Sequence, residues 1–82
     1  MIPDIKVNTD ELKIERIRNH YTMEMMAQLL GLNSRYTYSR KESGVSRFTP
    51  AQIIAVSETF HLSLQQINII FFEGKLPVDQ VA

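Results

Sequence analysis

No cysteine occurs in the 82 residues. That excludes disulfides and thiolate metal sites, and it fits a reducing compartment. His20 and His61 are the only imidazoles and lie far apart in sequence, so a zinc site has little to build on. Their positions suit a helix end and a loop-proximal residue rather than ligands. Long apolar runs are missing as well. The longest strongly apolar stretch, Ile67 to Phe72, is broken by Asn68 and is too short to span a bilayer. The opening residues, MIPDIKVNTDE, lack the basic-then-apolar order of a signal peptide. There is no internal repeat and no low-complexity tract. No segment alternates with period two, so no strand is expected. Glycine-rich phosphate loops, nucleophile elbows, metal-ligand clusters and paired carboxylates for acid–base work are all absent. The sequence therefore predicts no enzyme, no metal and no small-molecule cofactor.

Net charge is also lacking, at a formal +0. A strongly basic total would have pointed to nucleic acid, and the total gives no such sign. The distribution does. Residues 34–47 carry Arg35, Arg40, Lys41 and Arg47 against Glu42 alone, a local charge of +3, so the other residues sum to −3. Within this segment SRYTYSRKESG (34–44) holds no Leu, Ile, Val, Phe or Met. With 44% hydrophobic residues, the rest of the chain is rich enough for one compact core. A domain this small buries only about 60–70% of its unfolded surface, so that core must do all the stabilising.

Helix starts are well marked. Thr49, Pro50 and Gln52 form a capping-box start, and Ser63 with Gln66 repeats it. Asn8 caps another start, with Asp10 and Glu11 in the first turn. Thr22 gives a softer one, and a fifth lies near Asn33 and Ser34. Apolar residues agree with these starts at helical spacing. Met23, Met26, Ala27 and Leu30 form one stripe; Ile53, Val56, Ser57 and Phe60 a second; Leu64, Ile67, Ile70 and Phe71 a third. Leu12, Ile14, Ile17 and Tyr21 give a broader, broken stripe. Gly31 and Gly44 fit helix ends. These signals predict an all-α bundle of five helices, roughly 9–20, 23–30, 34–42, 50–60 and 64–71, with an arm over 1–8 and a tail over 74–82.

The second and third helices, joined through Gly31, have the pattern of a helix-turn-helix. In that motif one helix braces while the other lies in the DNA major groove. The inserted helix needs one anchored side and one long, polar, cationic side. With Tyr38 turned inward, Arg35, Tyr36, Ser39 and Arg40 fall on the outward arc. Arg35 and Arg40 suit guanine edges, and Tyr36 and Ser39 suit phosphate or sugar. Ser34 starts the same helix. Ser46 and Arg47 suit phosphate contacts from the following loop. Thr22 and Met23 lie near the DNA backbone at a helix N-terminus, itself an anion site.

At these residues the chain resembles a known family. TMEMMAQLLGLNSRYTYSRKESG followed by FTPAQIIAVSETFHLSLQQI is similar to the Cro and phage-repressor (XRE-like) helix-turn-helix proteins, over about residues 10–73. The resemblance implies a five-helix, lambda-repressor-like fold. It also implies binding to double-stranded operator DNA, usually as a dimer, in a bacterial or phage-infected cytoplasm. It implies that Arg35, Tyr36, Ser39 and Arg40 read DNA, and that Glu42 is a structural acid paired with Arg16. Met23 departs from the glutamine often found at its place. Lys41 stands where an apolar residue is frequent, with its stem expected to pack and its amine to escape to solvent.

Ile69, Phe72, Leu76 and Val78 exceed what the inner face of the last helix needs. They suggest a homodimer contact through helix 64–71 and the tail. The alternative is a tail folded back over its own bundle. The same surplus, with zero net charge, leaves room for a rival function: a protein-interaction module, antirepressor or antitoxin-like, on this scaffold.

Overall fold

The computed structural model describes residues 5–77. It is all-α, and no strand occurs among the described residues. Five helices follow in order: α1 Thr9–Arg18, α2 Met23–Leu29, α3 Arg35–Glu42, α4 Pro50–Thr59 and α5 Leu64–Phe71. Each expected helix is present, and four of the five starts are capped as their sequences specify. Asn8, Thr22, Thr49 and Ser63 each accept from the backbone N–H three residues on, and Gln52 and Gln66 close both capping boxes. Ser34 sits at the start of α3 in extended geometry but makes no side-chain cap.

The ends share one device. After each of the first four helices, two successive N–H groups bond back to carbonyls of the last turn, closing a Schellman motif. In α1 these are His20 to Ile17 and Tyr21 to Arg16; in α4, His61 to Glu58 and Leu62 to Ser57. The motif needs a left-handed residue. Gly31 and Gly44 supply it at φ 67° and 89°. His20 and His61 supply it at φ 61° and 52°, without glycine's freedom. This is why α1, expected to reach residue 20, stops at Arg18.

Eight residues form the enclosed centre: Leu12, Met26, Ala27, Tyr38, Val56, Phe60, Ile70 and Phe71. Each helix contributes at least one, so no helix is dispensable to burial. Aromatic edges tie the elements together. Tyr21 meets Phe60 at 5.5 Å between centroids, and Phe48 meets Phe71 at 5.3 Å.

Three apolar expectations are corrected. Ile14 and Ile17 are exposed, so α1 buries Leu12 and the charged residues Glu15 and Arg16 instead of a broad apolar stripe. Leu64 is 66% exposed and is not part of the inner face of α5. It occupies the first turn of α5, and buried Asn68 joins Ile70 and Phe71 on the inner face.

The two flanks meet at the C-terminal end of α5. Asn8 donates its backbone N–H to the Ile70 carbonyl at 2.7 Å, and Lys6 donates its backbone N–H to the Glu73 carboxylate at 3.1 Å. The buried Asn68 amide both donates to the Leu76 carbonyl and accepts its N–H, at 3.0 and 2.8 Å. As far as Leu76, then, the tail folds back on α5. Val78 lies outside the described residues, as do residues 1–4 of the arm and 79–82 of the tail.

Candidate nucleic-acid interface

The site begins with the turn between α2 and α3. Leu30 closes α2, Gly31 turns the chain in the left-handed region, and Leu32 packs against the core. Leu32 N–H bonds back to the Ala27 carbonyl at 2.8 Å, which locks the reversal. α3 then packs mainly on α2, with a smaller contact to α1.

At about 100° per residue, Arg35, Tyr36, Ser39 and Arg40 share an arc of about 140° on α3, and Tyr38, Lys41 and Glu42 share the opposite one. The structure follows that division. Tyr38, Lys41 and Glu42 are buried; Arg35, Tyr36 and Arg40 are exposed, and Ser39 is half-buried. Of the two tyrosines, Tyr38 is fully enclosed and Tyr36 is 67% exposed.

The inward side is held by charge as well as by packing. Arg16 grips Glu42 with two bonds, Nε to Oε2 at 2.8 Å and an Nη to Oε1 at 3.2 Å. Its other Nη donates to the Tyr21 carbonyl at 2.8 Å, in the α1–α2 turn. One buried guanidinium thus joins α1, α3 and the turn before α2, and this is the pairing that the family resemblance implied. Beside it the Tyr38 hydroxyl is sealed from solvent and lacks a partner in bonding geometry. Burial first, then the neighbouring Glu42 carboxylate, pushes the Tyr38 phenol far above its ordinary pKa, while Arg16 pulls the other way.

Lys41 corrects the expectation of an escaping amine. It is buried, and its Nζ donates to the Arg47 carbonyl at 2.8 Å while lying 5.8 Å from the centre of the Phe48 ring. A desolvated ammonium needs such partners. Lys41 therefore fastens the loop after α3 rather than facing outward.

Two of the five charges in residues 34–47 thus leave the surface: Glu42 into its pair and Lys41 into the loop. The exposed remainder is Arg35, Arg40 and Arg47. Thr22, Met23 and Arg35 line one shallow depression between the start of α2 and the start of α3. Thr22 is committed to its cap, and Met23 is half-buried against the core as well as lining the depression. Arg40, Ser46 and Arg47 gather at the other end of α3. There the Arg40 carbonyl accepts from the N–H groups of Val45 and Ser46. Tyr36 and Ser39 lie between the two groups. The eight residues of α3 extend for about 12 Å, close to the width of a B-DNA major groove.

Neighbours also act on the outer charges. The Arg35 guanidinium lies 5.2 Å from the Tyr36 ring centre, and an Nη stands 3.5 Å from the phenol oxygen. The Tyr36 oxygen raises the pKa of Arg35, Glu24 adding to it from α2, and Arg35 lowers that of Tyr36. Among the described residues no cluster of His, Cys, Asp or Glu is placed to hold a metal. None of their helices is long and apolar enough to cross a membrane.

Sequence reasoning missed two part-buried features: the Glu15–Arg18 pair at 3.1 Å and the Asn68 clamp on Leu76. Glu15 and Arg18 stand three apart on a helix, which was a readable signal. The clamp had none. No family model, curated protein or solved structure matches the chain.

Proposed function

We propose that this chain is a sequence-specific DNA-binding regulator that inserts α3 into the major groove of an operator. One observation carries the reading. α3 buries Lys41 and Glu42 against partners on its inner side and presents Arg35, Tyr36 and Arg40 on the outer one. A solvated helix side ordinarily mixes charges of both signs, and this one carries two arginines and no acid. The resemblance to Cro-type proteins supports the same reading.

In this mechanism Arg35 and Arg40 bond guanine edges, and Tyr36, Ser39, Ser46 and Arg47 touch sugar or phosphate. Ser34, Thr22 and Met23 border the DNA backbone at the two helix starts. Occupying the operator blocks or positions polymerase. The working unit is a homodimer through α5 and the tail, where Ile69 is 43% and Leu76 37% exposed. The chain acts without catalysis or cofactor, in the cytoplasm of a bacterial or phage-infected cell.

Titration of labelled duplex DNA over a range of salt concentrations tests the reading. Phosphate neutralisation releases counterions, so affinity should fall linearly on logarithmic axes as salt rises. Affinity absent at low salt, or indifferent to salt, counts against it.

A second reading has its own observation. Ile54 and Leu64, on α4 and α5, are 58% and 66% exposed on a chain of zero net charge. They suit a protein partner, as in an antirepressor or antitoxin-like module. Recovery of one defined protein together with negligible DNA affinity at low salt selects that reading.

A further inference from the structure

Adjacent residues on a helix point about 100° apart and do not ordinarily face one another. Arg35 and Tyr36 break that rule. Their side chains converge, with the guanidinium 5.2 Å from the ring centre and an Nη 3.5 Å from the phenol oxygen. Neither side chain is buried, so packing does not force them together. What draws them is the ring quadrupole and the oxygen lone pair, both favourable to a cation. Glu24, in the first turn of α2, adds a weaker favourable field at the same guanidinium.

This inference rests on the proposed DNA-binding function and assigns a role within that site. We propose that Tyr36 is a positioning residue for Arg35, holding its guanidinium in one orientation at the start of α3 so that the two act as a single reader of one guanine. An unrestrained arginine has many rotamers, and fixing it on binding costs entropy. A guanidinium already leaning on Tyr36 loses less. Tyr36 therefore controls how sharply Arg35 discriminates between bases, beyond any sugar or phosphate contact of its own.

The test selects binding sites from randomised duplex DNA with the full chain, with Arg35→Ala, Tyr36→Ala and Tyr36→Phe, and with the Arg35→Ala/Tyr36→Ala double variant. Both side chains are exposed, so the variants should fold, which circular dichroism checks. The wild type should select a guanine that Arg35→Ala no longer selects. Tyr36→Ala should weaken preference at that same base by about two- to fivefold, the size of an exposed cation–π contact. Tyr36→Phe, which keeps the ring, should retain most of it. In the double variant the loss from Tyr36→Ala should vanish once Arg35 is gone. If Tyr36→Ala leaves the guanine preference intact, or shifts preference at a different base, the positioning role is overturned while DNA binding stands. If the wild type retains no duplex at all, both fall together.

Discussion

The two sides of α3 carry similar numbers of charged groups and put them to opposite uses. On the inner side Lys41 and Glu42 are buried, and each has a specific partner, the Arg47 carbonyl and the Arg16 guanidinium. On the outer side Arg35 and Arg40 are exposed, and Arg35 leans on a neighbouring tyrosine. Buried charge demands a partner and is spent on architecture. Exposed charge remains for a ligand. Charge counted along the sequence cannot make that distinction, because Lys41 and Arg40 look alike until the helix is docked.

The strongest way to break the comparison is to remove an inner partner. Glu42→Ala leaves the Arg16 guanidinium buried and uncompensated, and should cost about 3–5 kcal/mol in chemical denaturation. Replacing both members, with Arg16→Met and Glu42→Leu, should cost less than the single change. If the double variant is the less stable one, the pair is contributing net stability in its own right.

An outer substitution should have the reverse profile. Arg40→Ala should leave stability within about 0.5 kcal/mol. It should weaken DNA binding by about 1–3 kcal/mol if it reads a base, or lower the salt slope by about 1 if it neutralises a phosphate. Lys41→Met sharpens the contrast between neighbours. Losing the bond to the Arg47 carbonyl should cost about 1–2 kcal/mol of stability, yet the salt slope should stay as it was. A fall in slope for Lys41→Met would place its amine on the DNA side after all.

Tyr38 offers a gentler probe of the inner side. Its hydroxyl has no partner in bonding geometry, so Tyr38→Phe should shift stability by less than about 1 kcal/mol near neutrality. Folding raises the Tyr38 pKa above its unfolded value, so the folded state resists losing this proton. Below about pH 10, the ordinary phenol value, the contribution to stability is constant. Above it the unfolded chain gives up the proton first and stability falls. Urea midpoints measured from pH 8 to 11 should drop for the wild type and drop less for Tyr38→Phe.

The smallest effect touches neither side. His61 closes α4 in a left-handed conformation better suited to glycine. His61→Gly should raise stability by about 0.5–1 kcal/mol and leave DNA affinity unchanged.

Much of the fold was legible because its signals are local. Thr49-Pro50 with Gln52, and Ser63 with Gln66, announce helix starts within four residues, and the structure places them there. Gly31 and Gly44 announced two ends in the same way. The ends near His20 and His61 were placed to within two residues, but the left-handed turn each histidine makes there was not legible. The outward placement of Arg35, Tyr36 and Arg40 followed from periodicity once Tyr38 was assigned inward. The fates of Lys41, Ile14 and Leu64 did not, because each depends on what another part of the chain sets beside it. Lys41 turns inward because residues 47 and 48 bring a carbonyl and a ring to it.

The central claim is that the arginine-bearing side of α3 meets DNA. The most direct test follows backbone amide resonances of the labelled protein as duplex DNA selected by the chain is added at low salt. The largest shifts should fall on residues 34–47 and on Thr22 and Met23, with α4 and the outer side of α1 unmoved. Shifts confined to α5 and the flanks, or no shifts at saturating DNA, would contradict it.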